Sequence, residues 1–154
     1  MQFWRICRRR YANQAASGEG ARLYGGRWNS RGVRVAYASS SLALAAIETF
    51  VNLEPNLRPA DLVSIEGEIP DAFDIAKLDV KTLPVHWTKH VSNLCAVSET
   101  TGLTAVLLVP SGAIRGEWNV LLNPVHPDFS RIEFRDPEPF EFDARMFRLR
   151  PKRG

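Results

Sequence analysis

The stretch that decides the fold of this chain is residues 18–50, GEGARLYGGRWNSRGVRVAYASSSLALAAIETF. Its first half is rich in glycine and arginine, and we expect it to form a loop. The alternation of side chains from Val33 to Ala38 then predicts a strand, because successive strand residues face opposite sides. The serines at 39–41 offer N-caps for a helix that runs to about Leu53, since a proline follows two residues later.

One carboxylate, Glu48, interrupts the apolar helix of this stretch. Its helical neighbours at i−4, i−3 and i+3 are Leu44, Ala45 and Val51. A charge on such a face costs several kcal/mol, on the order of 3–5, unless a partner meets it. Two interpretations follow. Glu48 is either a structural residue that a loop amide or an arginine satisfies, or a catalytic carboxylate that faces a cleft.

The loop before the strand has the composition of an anion site. Its arginines lie between glycines at 18, 20, 25, 26 and 32. The glycine spacing is not a dinucleotide-binding fingerprint, because the third glycine is missing and a strand follows instead of a helix. There is no Walker A sequence. Such a loop can present backbone N–H groups and guanidinium forks to a pyrophosphate, although plain turn formation explains the glycines equally well.

The remainder of the chain adds mostly strands. The predicted strands are 2–7, 62–69, 104–109 and 120–122, with short extended pieces at 132–134 and 140–142. We expect the last two to be joined by a hairpin or long turn, residues 86–100 to form an amphipathic helix, and residues 70–84 to be irregular. The order does not alternate strictly, which predicts an α+β fold with mixed or antiparallel sheets and a few helices. We expect one domain over 1–154, with a tail that is partly mobile from about 145.

Composition points to an ordinary globular protein. Hydrophobic residues make up 45% of the 154 residues, charged residues 24%, and the net charge is +3. The two cysteines form no metal or redox motif, so a reducing cytoplasm is the expected location. No apolar run approaches the roughly 20 residues of a membrane span. The mild positive charge suits a phosphate-bearing ligand or an acidic partner.

Two further motifs have plain explanations. His86 and His90 have the i, i+4 spacing of a metal-binding helix, but Trp87 stands where a zinc-protease helix has its glutamate. We therefore predict no metal site. Ser111 directly follows a predicted buried strand, where functional side chains are common, yet no Gly-x-Ser-x-Gly motif surrounds it. An ordinary turn serine is the alternative there.

Several blocks in order resemble one known family. They are Gly25-Gly-Arg-Trp-Asn-Ser-Arg-Gly32, Val35-Ala-Tyr-Ala-Ser39, Leu42 to Glu48, Val109-Pro-Ser111 and Leu122 to Phe129. Together they resemble the RES-domain family, which is named for an arginine, a glutamate and a serine and comprises the toxins of RES–Xre toxin–antitoxin pairs. The resemblance extends from Trp4 to about Phe129.

The resemblance implies a fold related to ADP-ribosyltransferase toxins. It also implies NAD+ as the substrate, with no separate cofactor. Family members cleave the nicotinamide–ribose bond, and some transfer ADP-ribose to a protein. Their Xre-type antitoxin covers the active site. The expected partners are therefore NAD+ and an antitoxin in a hetero-oligomer, without direct contact to nucleic acid or membrane.

The resemblance also assigns the site residues. The expected catalytic residues are Arg27, Glu48 and Ser111, and the expected substrate-binding residues are Arg5, Gly26 and Tyr37. A carboxylate beside the ribose suits the positive charge that develops as nicotinamide leaves. Arginine forks suit the pyrophosphate, and a tyrosine ring suits stacking on nicotinamide. The serine would orient the ribose or Arg27.

Two other function classes stay open at this point. An RNA-cleaving or RNA-binding toxin fits the basic ends and the four tryptophans, although an RNase needs an acid–base pair near the arginines. A binding module without catalysis fits a purely structural Glu48. The acceptor of ADP-ribose, whether water, phosphate or a protein side chain, is not decided by the sequence.

Overall fold

One mixed sheet carries the fold, in a computed structural model that describes residues 1–54, 59–89 and 104–147. The sheet has eight strands: β1 (Gln2–Arg8), β2 (Ala36–Ser39), β3 (Leu62–Glu68), β4 (Ile75–Lys77), β5 (Val106–Pro110), β6 (Trp118–Leu122), β7 (Glu133–Phe134) and β8 (Glu138–Pro139). Their order is β4-β5-β6-β2-β1-β3-β7, and β8 also pairs with β3. Of these pairs, β4 with β5 is parallel and the others are antiparallel. The prediction of an α+β fold is confirmed.

Helices are few in the described part of the chain. The α-helices are α1 (Glu19–Tyr24) and α2 (Leu42–Val51), and the short 3-10 helices are Arg9–Gln14, Val80–Thr82, Trp87–Lys89, Pro127–Arg131 and Ala144–Phe147. None of the described helices has the length and apolar content that crossing a bilayer requires.

The two faces of the sheet each carry an apolar cluster. Val120 and Leu122 of β6 belong to one cluster with Phe3, whereas Leu121 belongs to the other with Trp28. This alternation follows from the two-residue period of a strand. The cluster around Trp28 lies beneath the glycine-rich segment, which ties that segment to the sheet.

Helix α2 is positioned as the sequence predicts, although it ends at Val51 instead of Leu53. Ser41 is its N-cap, and the Ser41 hydroxyl accepts a hydrogen bond from the Leu44 amide at 3.1 Å. Leu44 and Ala45 are buried. Burial of this face fixes the rotation of the helix and points Glu48, one turn later, towards the ends of β2 and β6.

The sheet opens between β1 and β2. Strand β1 matches β3 over seven residue pairs, but it meets β2 at one pair, Trp4 opposite Ser39. Past that pair the Arg5 side chain bridges the strands, and its Nη1 donates to the Tyr37 carbonyl at 2.5 Å. A charged side chain therefore stands where two paired strands would exchange backbone hydrogen bonds.

The prediction that the glycine-rich segment forms a loop was partly wrong, because helix α1 forms within it. Gly18 caps this helix with φ +66°, and a Cβ there would lie 2.6 Å from the Val35 amide nitrogen. Only glycine fits that left-handed, closely packed position. The Arg22 guanidinium then pairs with Glu19 one turn earlier. The strand also starts later than predicted, at Ala36 instead of Val33.

Two other local predictions were wrong. Residues 70–84 are not wholly irregular, since β4 pairs in parallel with β5 there; three residues are too few to show a period. Of the hairpin or long turn predicted near the C-terminus, the hairpin is wrong, and the second strand lies at Glu138–Pro139 instead of 140–142. β7 and β8 both run along β3, where Phe134 lies opposite Gly67 and Pro139 opposite Val63. They form one interrupted edge strand, a place that tolerates proline.

Residues 90–103 lie outside the described part of the chain, and most of the helix predicted over 86–100 falls among them. Within it, His86 has φ +63° and Trp87–Lys89 is a 3-10 helix. At the other end of the chain, Phe147 packs edge-on against Phe50 of α2 at 5.4 Å. Residues 148–154 of the predicted tail lie outside the described residues.

Candidate active site

Glu48 is the centre of a hydrogen-bond network at the end of α2. Its Oε1 accepts from the Ser111 hydroxyl at 2.6 Å and from the Asn119 amide at 2.6 Å. No described residue donates to Oε2. A carboxylate oxygen that holds two short hydrogen bonds fixes the side chain, while the second oxygen is left for a ligand.

Ser111 is held by the turn that follows β5. Its backbone amide donates to Glu117 O at 2.8 Å, and its hydroxyl accepts from the amides of Ala113 and Ile114. Because those two amides occupy the lone pairs of the hydroxyl, its proton is directed to Glu48. Ser111 is 3% exposed. It therefore serves as a fixed donor to the carboxylate.

Arg27 lies against the same turn. A Cβ on Gly112 would stand 2.8 Å from Arg27 Nη2, so the guanidinium rests directly on the glycine. Arg27 Nη1 donates to the carbonyls of Trp87 and Thr88, at 3.1 Å each. The guanidinium also lies 5.7 Å from the Trp87 ring centroid. No carboxylate among the described residues pairs with it.

Tyr37 locks the glycine-rich segment onto the sheet. Its hydroxyl donates to Asn29 Oδ1 at 2.7 Å and accepts from the Trp28 amide at 3.1 Å. A Cβ on Gly26 would come within 2.6 Å of this hydroxyl, so the segment packs closely over it. Burial raises the pKa of Tyr37 to about 12, although the Trp28 amide and the charge of Arg27 act against it. The phenol is thus neutral at physiological pH.

Arg5 is a half-buried cation without a carboxylate partner among the described residues. Its Nη1 donates to the Tyr37 carbonyl. Its Nε is buried and has no hydrogen-bond partner in the described part of the chain. Burial lowers the pKa of Arg5, while the neighbouring Cys7 raises it. Burial likewise raises the pKa of the Cys7 thiol, against the effect of Arg5. A guanidinium group that lines a cleft without a carboxylate partner is a candidate anion contact.

A cleft of about 440 Å³ runs between α2 and the opening of the sheet. Arg5, Tyr37, Glu48 and Asn119 line it. A second cavity of about 750 Å³ borders Trp87, Thr88 and the turn at Ser111 and Gly112. The Glu48–Ser111 hydrogen bond lies where the two spaces approach each other, because Glu48 lines the first and Ser111 the second.

Comparisons with known proteins identify the family of this chain. The model of the RES domain matches residues 2–143. The chain belongs to the RES domain family. It is similar to a protein of Sphingobium sp. named Prs ADP-ribosylating toxin, with 40% identity over 156 residues, 95% of this chain and 96% of that protein.

Two further relatives are named Toxin Res. The one from Photorhabdus laumondii is 36% identical over 141 residues, which cover 85% of this chain and 86% of the relative. The one from Yersinia enterocolitica is 34% identical over 155 residues, which cover 95% and 99%. The similarity therefore spans nearly the full length of these toxins.

In this RES domain the six predicted site residues form two contacting groups of three. Glu48 bonds Ser111, Arg27 rests on the glycine after Ser111, Arg5 bonds the Tyr37 carbonyl, and Gly26 touches the Tyr37 hydroxyl. Ser111 donates to Glu48, and no hydrogen bond joins it to Arg27. The catalytic and binding roles of these residues are predictions that the contacts alone do not test.

The sequence analysis missed two members of the site, Asn119 and Ser39. Asn119 interrupts the apolar strand Trp118–Leu122, and that polar interruption is the signal that marks it. Ser39 was expected as an N-cap candidate, but Ser41 takes that place and Ser39 bonds Asn119 instead.

The two described histidines, His86 and His126, lie apart from Glu48. His126 lines a separate small pocket with Asp128 and Arg131, and its Nδ1 accepts from the Asp128 amide. His86 borders the second cavity, and His90 lies outside the described residues. Within residues 1–54, 59–89 and 104–147, no group of three or more His, Cys, Asp and Glu side chains is placed to hold a metal ion.

Proposed function

We propose that this protein is a toxin that consumes NAD+ by breaking the nicotinamide–ribose bond, with ADP-ribosyltransferase-like chemistry. The observation that carries the proposal is the Glu48 carboxylate, which Ser111 and Asn119 hold through one oxygen while the other is left open. Two arginines without acidic partners in the described chain flank Tyr37 in the same site. The fixed carboxylate suits a ribose that becomes positively charged during the reaction. The arginines without carboxylate partners suit the pyrophosphate of the same substrate.

Glu48 acts at the step in which nicotinamide departs. As the C1′–N bond breaks, its electron pair leaves with nicotinamide and the ribose becomes an oxocarbenium-like cation. A carboxylate that is already oriented stabilises that charge without reorganising. Oε2 of Glu48, which has no donor among the described residues, would serve this purpose or accept from a ribose hydroxyl. ADP-ribose is then captured by water, phosphate or a protein nucleophile.

Arg5 and Arg27 supply the anion contacts. Arg5 and Arg27 each use one nitrogen, Nη1, for backbone carbonyls. Both guanidinium groups thus keep donors for pyrophosphate oxygens. Arg5 lines the 440 Å³ cleft beside Glu48, which supports a pyrophosphate site next to the reacting ribose. Tyr37 would contact the nicotinamide end, and Gly26 lets the segment pack on it.

One observation bears on the acceptor of ADP-ribose. A relative that is 40% identical is named as an ADP-ribosylating toxin, which makes a protein acceptor a candidate beside water and phosphate. Since NAD+ is an intracellular metabolite, this function places the protein in the cytoplasm.

Such an activity needs an inhibitor in the cell that makes it, and we propose an Xre-type antitoxin. Arginine guanidinium groups that bind a pyrophosphate also bind a carboxylate, because the same pair of N–H donors serves both anions. The antitoxin therefore inserts an acidic or chain-terminal carboxylate at Arg5 and Arg27 and competes with NAD+. Titration of NAD+ into the complex of antitoxin with an inactive Glu48 variant tests this. Equal NAD+ affinity for complex and free toxin would rule out occlusion.

The function itself is tested by incubating purified protein with NAD+ and measuring free nicotinamide. An RNA substrate and labelled candidate acceptor proteins run in parallel. Release of nicotinamide with intact RNA supports the proposal. Cleaved RNA with intact NAD+ would favour an RNase toxin, and no turnover of either would favour a binding module in which Glu48 is structural.

A further inference from the structure

Asn119 is a buried polar residue in the middle of an apolar strand. It is 9% exposed, and its strand neighbours Val120 and Leu121 are buried apolar residues. Both ends of its amide are bonded: Nδ2 donates to Glu48 at 2.6 Å, and Oδ1 accepts from the Ser39 hydroxyl at 2.8 Å. Strand pairing sets this contact, because Ser39 and Asn119 are direct partners across β2 and β6.

The direction of these hydrogen bonds is forced. An ionised carboxylate only accepts, so Asn119 must turn its NH2 group to Glu48. Its carbonyl oxygen then faces Ser39, whose hydroxyl must donate. The chain from Ser39 through Asn119 is therefore polarised towards Glu48, and the sheet holds it. Ser111 reaches the same Oε1 from a turn on the other side.

We propose that Asn119, oriented by Ser39, is a positioning residue that fixes the Glu48 carboxylate with Oε2 towards the substrate. This inference rests on the proposed NAD+ cleavage. Glutamate has three rotatable side-chain bonds, and one donor leaves it free to swing about the contact. Two donors on one oxygen, one from the sheet and one from the turn, leave a single orientation. Displacing a catalytic group by about 1 Å costs on the order of 100-fold in rate.

The test compares Asn119→Ala with Asn123→Ala. Asn123 is also buried, at 7% exposure, and follows the same strand, but it bonds Thr104 O and the Val125 amide. We expect Asn119→Ala to lower kcat for nicotinamide release about 10- to 100-fold with KM within about threefold. Asn123→Ala should leave kcat within about twofold while lowering the melting temperature.

Two more variants grade the effect. Asn119→Asp keeps the shape but replaces the donor with a second carboxylate that faces Glu48, so its kcat should fall further than that of Asn119→Ala. Ser39→Ala leaves Asn119 Oδ1 without its donor, so the amide is held less firmly and kcat should fall only about two- to tenfold. Circular dichroism and melting temperature confirm that each variant is folded.

A readout without catalysis separates this inference from the proposed function. The side-chain carboxylate of Glu48 is followed by 13C NMR and assigned through its loss in Glu48→Gln. The resonance should move in Asn119→Ala and stay in Asn123→Ala. A wild type that releases no nicotinamide would overturn the proposed function alone. An unmoved resonance, or an active wild type matched in kcat by Asn119→Ala, would overturn the positioning role.

Discussion

The anionic and cationic parts of the site are held in different ways. Glu48 receives two hydrogen bonds from side chains, Ser111 and Asn119, which are themselves buried and bonded. Arg5 and Arg27 donate to backbone carbonyls and have no carboxylate partner among the described residues. The protein therefore fixes one oxygen of the carboxylate with its own side chains and leaves guanidinium donors for a ligand. The difference supports the proposed division of roles, with chemistry at Glu48 and binding at the arginines.

Replacing Glu48 with glutamine should break this division most severely. Glu48→Gln keeps an oxygen for the two donors, so the fold should survive, but the charge that stabilises the oxocarbenium ion is gone. We expect kcat for nicotinamide release to fall by about 1,000-fold or more. Glu54→Gln, at an exposed glutamate just after α2, is the control and should keep wild-type kcat. Wild-type turnover in folded Glu48→Gln would make the carboxylate structural.

Replacing Arg27 with lysine should affect binding first. Lysine keeps the charge but loses the planar fork and the contact with Gly112. We expect KM for NAD+ to rise about tenfold or more, which is about 1.4 kcal/mol of binding, with a smaller fall in kcat. The matched control is Arg31→Lys, an exposed arginine of the same segment. Steady-state kinetics that do not distinguish the two variants would remove Arg27 from the site.

Gly112→Ala should reproduce part of the defect of Arg27→Lys while leaving the arginine itself unchanged. The added Cβ would lie 2.8 Å from Arg27 Nη2 and 2.9 Å from Cζ, so the guanidinium must shift. We expect KM to rise roughly fivefold to tenfold, with little change in kcat. Gly20→Ala is the control, since a Cβ there meets nothing within 4 Å. In helix α1 it should raise stability by about 0.5–1 kcal/mol. Equal kinetics for both variants would contradict the contact.

The smallest effect is expected for Tyr37→Phe, which removes the hydroxyl that holds the glycine-rich segment on the sheet. Loss of the hydroxyl leaves the Trp28 amide and Asn29 Oδ1 without their partner and should cost about 1–2 kcal/mol of stability. The folded protein also holds the Tyr37 proton more tightly, as its pKa rises from 10.0 to about 12. The stabilisation from this group is therefore full below pH 10 and is lost as the pH rises through about 12.

Chemical unfolding between pH 8 and about 12 measures this dependence. Tyr37→Phe should show a flatter fall of stability above pH 10 than wild type. Tyr24→Phe, at a tyrosine that is 77% exposed, should follow the wild-type curve. Parallel curves for wild type and Tyr37→Phe would show that the phenol proton does not contribute.

Much of the fold and the site is accessible from the sequence where a local pattern carries it. Ser41 and the apolar run after it predict α2, and β3 and β5 follow from their alternation or continuous apolar character. The six predicted site residues came mainly from a family resemblance. Their connection in space depends on β2 lying between β1 and β6, which no local pattern encodes.

The missed features depend on long-range contacts. Asn119 and Ser39 are 80 positions apart, and only strand register brings them together. Helix α1 was missed because glycine disfavours helices, yet Gly18 packs on the backbone of Val35 and Glu19 pairs with Arg22 and Arg34. Tertiary packing there outweighs local propensity.

The division of roles is tested most directly by NAD+ binding to inactive protein. Isothermal titration calorimetry compares Glu48→Gln with the double variant Glu48→Gln/Arg27→Lys, so that turnover does not consume the ligand. We predict that Glu48→Gln binds NAD+ without releasing nicotinamide, and that the second change raises Kd about tenfold or more. Failure of Glu48→Gln to bind NAD+, or the same Kd for both proteins, would contradict the account.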